Sequence, residues 1–215
     1  MNIRKLKSSQ LDAAIYGMLL GDGSCDRGEG NFTKNSNFIL KVGHSKKQEE
    51  YLLWKKKIVD QIGTVSTKVW EYDKQNAVYF RTNARKYFTK LEKIFYTNRK
   101  KNVSLKILNK LNDLSLAIWF MDDGYISCNK SGSCYGELCT DQFNIDQVKM
   151  IQKWFIDKYK LNVGIRELKY KSGKYYGKVV YRIKFNSENC KKLKNIIYPF
   201  VNQISCMKYK LSKVK

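Results

Sequence analysis

The sequence predicts an α+β protein of two pseudo-symmetric αββαββα lobes, and three observations carry that prediction. Landmarks recur at a period near 101 residues, apolar positions switch between helical and two-residue spacing in the same order twice, and an Asp-Gly stop closes the apolar run at equivalent points of both halves. Asp22-Gly23 follows the apolar run Ala13-Ala14-Ile15-Tyr16-Gly17-Met18-Leu19-Leu20-Gly21, and Asp123-Gly124 follows Leu116-Ala117-Ile118-Trp119-Phe120-Met121-Asp122. Trp54 is echoed by Trp154, and Leu91-x-x-Ile94-x-Tyr96 by Leu193-x-x-Ile196-x-Tyr198. Two copies are too few for a solenoid, so the natural division is a lobe over 1–97, a linker over 98–113 and a second lobe over 114–215.

The opening helix is expected over about 9–21. Phe38, Leu40 and Val42 alternate with Ile39 and Lys41, as a half-buried strand does. A second helix follows over about 46–62, where Tyr51, Leu52, Ile58 and Val59 fall on one face around Trp54. Val65, Thr67 and Val69, then Val78 and Phe80, mark two more strands, each with a polar, basic alternate face. A third helix covers about 84–96. Asn98-Arg99-Lys100-Lys101-Asn102 reads as an exposed connection. The second half repeats the order: a helix to about 122, strands around 125–140, a helix over about 144–158, strands over about 162–185 and a helix over about 187–198. Pro199, the one proline, is expected just after that helix.

Lys and Arg total 42 against 19 Asp and Glu, a net charge of +23 that divides into +13 over 1–112 and +10 over the rest. This is a basic body and not a basic tail, and its commonest partner is a nucleic-acid backbone. A hydrophobic content of 43% excludes wholesale disorder. No apolar run reaches the ~18 residues of a membrane span, and the start shows no signal or import peptide. Six cysteines lack any C-x-x-C pair and there is a single histidine, so structural zinc is not expected. The cysteines read as reduced thiols of an intracellular protein, and any catalytic metal as a hard cation on oxygen ligands.

An apolar helix that ends in Asp-Gly sets a carboxylate at the negative end of the helix dipole. Once, this is an ordinary helix stop; at equivalent points of two repeats it is a pattern. If the two helices pair across a pseudo-two-fold axis, two carboxylates converge, which a divalent cation makes tolerable. Gly17 and Gly21 give the first helix a smooth face for that pairing, whereas Ile118 and Met121 in the second are larger.

On Ile15–Gly23 and Leu116–Gly124 the chain resembles the LAGLIDADG homing endonucleases of the single-chain, two-motif type, over nearly its whole length. The resemblance implies antiparallel sheets forming a saddle over the DNA major groove, with the motif helices packed at its centre. It also implies Mg2+ held by Asp22 and Asp123, with Mn2+ as a substitute and Ca2+ supporting binding without cleavage. The Gly21 and Asp122 backbone carbonyls are further candidate ligands, the Asp122 side chain being read as a neighbour that faces away. Late in each lobe a basic residue near the scissile phosphate falls on Lys101 and Lys210, with Lys100 and Lys208 as competitors.

Outward strand positions Lys41, Lys68, Arg81, Lys130, Arg166, Arg182 and Lys184 are expected to line the saddle. Some neutralise phosphates, and the arginines are suited to guanine edges. No tyrosine is assigned, and His44, read as a polar loop residue after a strand, is not the general base. The expected function is therefore metal-dependent, site-specific cleavage of both strands of a long duplex by a monomer with internal pseudo-symmetry. Its place of action is an organelle or a bacterial or phage-host cytoplasm. The rival readings are an intron-RNA maturase on the same fold, a non-catalytic DNA-binding regulator, and a basic structural protein, which leaves the duplication unexplained.

Overall fold

In the strand Ala77–Thr82, Val78, Phe80 and Thr82 are buried while Ala77, Tyr79 and Arg81 are half-buried on the opposite face, the period-two pattern read from the sequence. The computed structural model describes residues 5–27, 36–63, 65–173 and 176–211 and the backbone of 213–214. In the first lobe α1 (Ser8–Leu20) leads to β1 (Ser24–Asp26), β2 (Ile39–Ser45), α2 (Glu49–Val59), β3 (Thr67–Tyr72), β4 (Ala77–Thr82) and α3 (Lys86–Phe95). A hairpin of β5 (Tyr96–Thr97) and β6 (Lys100–Lys101) and the short α4 (Leu105–Leu108) follow. The second lobe runs α5 (Asp113–Asp123), β7 (Gly124–Cys128), β8 (Cys134–Leu138), α6 (Ile145–Tyr159), β9 (Gly164–Lys169), β10 (Val179–Phe185) and α7 (Ser187–Val201). A 3₁₀ segment, Ser205–Leu211, and β11 (Lys213–Val214) close it.

The α+β class and the two antiparallel sheets agree with the sequence reading. The first sheet has the order β1-β2-β4-β3 and the second β11-β7-β8-β10-β9. One pairing departs from the pattern: β11 joins β7 in parallel.

Residues Ala13 to Leu20 of α1 and Leu114 to Met121 of α5 are buried on every side, as befits helices enclosed between two layers. They pack on each other through Gly17, where an added Cβ would lie 2.5 Å from the Ser115 carbonyl oxygen. At Gly21 an added Cβ would meet the Asp122 carboxylate at 2.2 Å. The bulk of Ile118 and Met121 does not prevent this approach, because both side chains are spent in the core instead.

Four expectations are corrected. The 98–102 stretch, expected to be exposed, is so only over 98–100, since Lys101 and Asn102 are half-buried; further along, Val103, Ile107, Leu108 and Leu111 are buried while Leu105, Lys106, Asn109 and Lys110 are exposed. Pro199 lies inside α7. Its ring costs the helix about 3 kcal/mol, which burial of Ile197 and Val201, at about 1.5–3 kcal/mol each, outweighs. Cys128 and Cys134, opposite one another in β7 and β8, form a disulfide, while Cys25, Cys139, Cys190 and Cys206 are free thiols. His44 belongs to β2 itself and is buried.

Replacing Gly17 by Ala should lower unfolding stability by about 1–3 kcal/mol, since backbone and not a flexible side chain must yield. The control is Gly63→Ala, where a methyl meets open space. Equal denaturation midpoints for the two variants would contradict backbone contact between α1 and α5.

Candidate active site at the lobe interface

The last carbonyls of a helix lack internal partners, and cations are favoured there. At the end of α1 the Gly21 carbonyl accepts a hydrogen bond from Lys101 Nζ at 2.5 Å, and at the end of α5 the Asp122 carbonyl accepts one from Lys210 Nζ at 3.1 Å. The two bonds are the same interaction in two repeats. They single out Lys101 and Lys210 from the exposed Lys100 and Lys208. They also engage one lone pair on each carbonyl expected as a metal ligand. Lys210 is delivered by the 3₁₀ segment, whose first amides, Ser205 and Cys206, donate to the Glu50 carboxylate of α2 at 3.1 and 2.9 Å.

Asp22 and Asp123 line one cavity of about 300 Å3 together with Gly21, Cys139, Asp141 and Gln142. Burial and repulsion from Asp122 raise the pKa of both, Asp123 to about 8. Lys101 and Lys210 pull the other way without cancelling the effect, and burial lowers their own pKa. Two carboxylates lining one cavity, held above their usual range by desolvation and by the Asp122 charge, form a donor set suited to a hard divalent cation.

Asp122 is corrected: its carboxylate points inward and is fully buried. One oxygen accepts from Lys55 Nζ at 2.6 Å and Tyr51 Oη at 2.9 Å, and the other from the Asp22 backbone N–H at 3.0 Å. His44 stands beside it, with Nδ1 3.4 Å from Asp22 Oδ2 and Nε2 3.1 Å from Lys55 Nζ. Burial and the Lys55 charge push its pKa down to about 3, so the ring is neutral. Donor atoms of Asp22, His44 and Asp122 lie within 4.8 Å of one another. The Lys55 ammonium already neutralises Asp122, however, so the group is an ion-paired network and not an open metal site.

Sequence reasoning missed Tyr51, Lys55 and His44 as members of this site. A signal existed for one of them: Lys55 is spaced three or four residues from Tyr51, Leu52, Ile58 and Val59, on the helical face that forms the core. A lysine on such a face needs a buried counter-charge.

The open sheet faces adjoin the acids on either side. A pocket of about 240 Å3 next to Asp22 includes Ser24, Lys41 and Tyr79, and one of about 550 Å3 next to Asp123 includes Tyr125, Tyr135, Tyr209 and Lys210. Lys41, Arg81 and Lys68 stand in one cross-strand row over β2, β4 and β3. Lys41 and Arg81 sit over the stacked rings of Trp70 and Tyr79, with Lys41 Nζ 5.5 Å from the Tyr79 centroid and Arg81 Cζ 5.6 Å from that of Trp70. The second sheet differs. Arg166 bonds Glu137 at 2.5 Å, and Arg182 holds Asp141 through two 2.7 Å bonds, so both guanidinium groups expected for bases are engaged by carboxylates. Lys184 is exposed on the same face, and Lys130 is exposed in the β7–β8 turn.

Residues 13–193 match the model of the LAGLIDADG DNA endonuclease family. The chain is 27% identical to a cytochrome b mRNA maturase, bI2, of Debaryomyces hansenii, over 98% of its own length and 77% of the relative's. It is 32% identical to a probable intron-encoded DNA endonuclease of Mycosarcoma maydis, over 63% of its length and 93% of the relative's. Several mycobacterial proteins named RecA also match, and of those the chain spans less than half the length. Its fold superimposes on the homing endonuclease I-WcaI, solved with its DNA recognition sequence, at a TM-score of 0.70 and 23% identity, covering 95% of this chain and 86% of that one.

The raised pKa of Asp123 sets a pH dependence. The unfolded chain releases this proton near pH 4 and the folded one near 8, so the ionised acid's penalty grows between those values and is complete above them. In chelator, thermal stability of the parent should fall more steeply from pH 5 to 8 than that of Asp123→Asn, and Mg2+ at pH 8 should restore the parent more. A steeper decline in the variant would contradict this electrostatic account.

Proposed function

Because the chain belongs to the LAGLIDADG DNA endonuclease family, we propose that it is a site-specific endonuclease cutting one phosphodiester on each strand of a long, asymmetric duplex. The observation that carries this reading is the pair of repeat-related carboxylates in one cavity between two basic sheets. Asp22 and Asp123 are proposed to hold Mg2+, with Mn2+ as a substitute, and bound metal would supply Lewis-acid stabilisation and a more acidic water. Lys101 and Lys210 would donate to the charge that develops on the reacting phosphates.

Lys41, Lys68, Arg81, Lys130 and Lys184 are proposed to neutralise backbone phosphates. Tyr79 and Trp70 would hold the first sheet's cations in place, since a cation over an aromatic face gains about 0.5–1 kcal/mol. Arg166 and Arg182 would present the duplex with guanidinium edges already fixed by Glu137 and Asp141. The protein would act as a monomer of two lobes, divided as the repeat suggests, in the compartment where it is made. No helix among the described residues is long and apolar enough to cross a membrane. A second reading, binding of intron RNA as a maturase, is favoured by the likeness to the D. hansenii protein over 98% of this chain. It leaves the paired acids without a task.

Cleavage selection on a randomised duplex library with Mg2+, followed by sequencing of the cut ends, should recover one long target. On it, Asp22→Asn and Asp123→Asn should each abolish double-strand cutting while retaining binding, and Ca2+ should support binding alone. Normal double-strand rates in either variant would overturn the assigned roles. Binding should weaken by orders of magnitude between about 50 and 200 mM salt, and a flat response would contradict the phosphate contacts.

A further inference from the structure

The two lobes repeat, but the surroundings of their acids do not. Strand register identifies the equivalent positions. Ser24, two residues beyond Asp22, pairs with Lys41, and Tyr125, two beyond Asp123, pairs with Glu137. Three residues past Lys41 is His44, and three past Glu137 is Thr140. Thr140 is buried too, but its hydroxyl donates to the Tyr181 carbonyl at 2.6 Å. The supports of His44 are equally one-sided. By the Trp54–Trp154 repeat, Lys55 corresponds to Phe155, and by the Asp-Gly repeat Asp122 corresponds to Gly21.

The chemistry of this one-sided group fixes the histidine. A lysine ammonium only donates, so Nε2 of His44, 3.1 Å from Lys55 Nζ, is the acceptor, and the ring proton is on Nδ1. Nδ1 lies 3.4 Å from Asp22 Oδ2, and the ring also has a hydrogen bond with Gln48. Asp122, held by the same Lys55, accepts the Asp22 backbone N–H. Main chain and side chain of Asp22 are thus both addressed by one buried ion pair, and Asp123 has neither contact.

We propose that His44 is a positioning residue for Asp22 alone, its Nδ1–H tautomer imposed by Lys55, so that the two strands are cut by chemically unequal sites. This rests on the endonuclease reading above. Groups that orient a metal-binding carboxylate typically change activity by about 10–100-fold, and here that dependence falls on one strand only.

The single histidine makes the first test direct. In 15N-histidine-labelled protein without divalent metal, long-range proton–nitrogen correlation reports which ring nitrogen carries the proton. The parent should show one neutral species protonated at Nδ1, and the paired variant Lys55→Met/Asp122→Asn should lose that preference. A parent ring protonated at Nε2 would overturn the proposal whether or not the protein cuts DNA.

The second test is single-turnover cleavage of the selected target with each strand labelled. His44→Ala should slow one strand by about 10–100-fold and leave the other within about twofold, with unchanged binding in Ca2+. His44→Asn, whose amide can donate from the position of Nδ1, should restore most of the loss. Equal slowing of both strands, no slowing of either, or no rescue by Asn would overturn the proposal. A parent that cuts neither strand would sink the endonuclease reading, and the tautomer measurement would then decide the His44–Lys55 arrangement by itself.

Discussion

At Gly17 the backbones of α1 and α5 touch, with no room for even a methyl group against the Ser115 carbonyl. That contact sets the separation of the two helix ends, and the rest of the site is a response to it. Because the helices converge, the buried Asp122 carboxylate acts on both Asp22 and Asp123 and raises their pKa. Lys55, Lys101 and Lys210 come from three separate elements to offset them, each by the route its element allows. Asp22 and Asp123 still keep a raised pKa, because desolvation adds to the repulsion from Asp122.

The network around Asp122 is of another kind. Lys55 and Asp122 form a buried pair, with further bonds donated to the carboxylate by the Tyr51 hydroxyl and the Asp22 amide and a contact from Lys55 to His44. Removing one partner of such a pair costs about 3–5 kcal/mol, whereas replacing both by apolar groups is often neutral. The pair is therefore weak evidence for stability and better evidence for fixing geometry. What it fixes is the end of α1 that carries Asp22.

Much of the fold was legible because its signals are local. The alternation in β4, the helical face around Trp54 and the repeated Asp-Gly stops all depend on neighbours within a few residues. Pro199 was misjudged because tertiary burial of Ile197 and Val201 overrode a local breaker. Segment 98–113 looked polar at its start and hid its anchors further along. Lys101 and Lys210 were reachable by family resemblance, yet only the three-dimensional contact to Gly21 and Asp122 separates them from adjacent lysines. His44, Tyr51 and Lys55 converge on a residue about 70 positions away, a relation that no spacing rule encodes. The pairing of Arg166 and Arg182 with acids was likewise invisible, since Glu137 and Asp141 approach them across strands.

The Lys55–Asp122 pair has one more consequence, for ancestry and for engineering. Each half of the chain buries a charge that only the other half can neutralise. Two copies of the first half would strand a lysine at the shared seam with Gly21 opposite it. Two copies of the second would drive a pair of aspartates together with Phe155 where Lys55 now stands. A duplicated gene of this design has passed a point of no return: neither half is equipped to live again as a self-associating subunit.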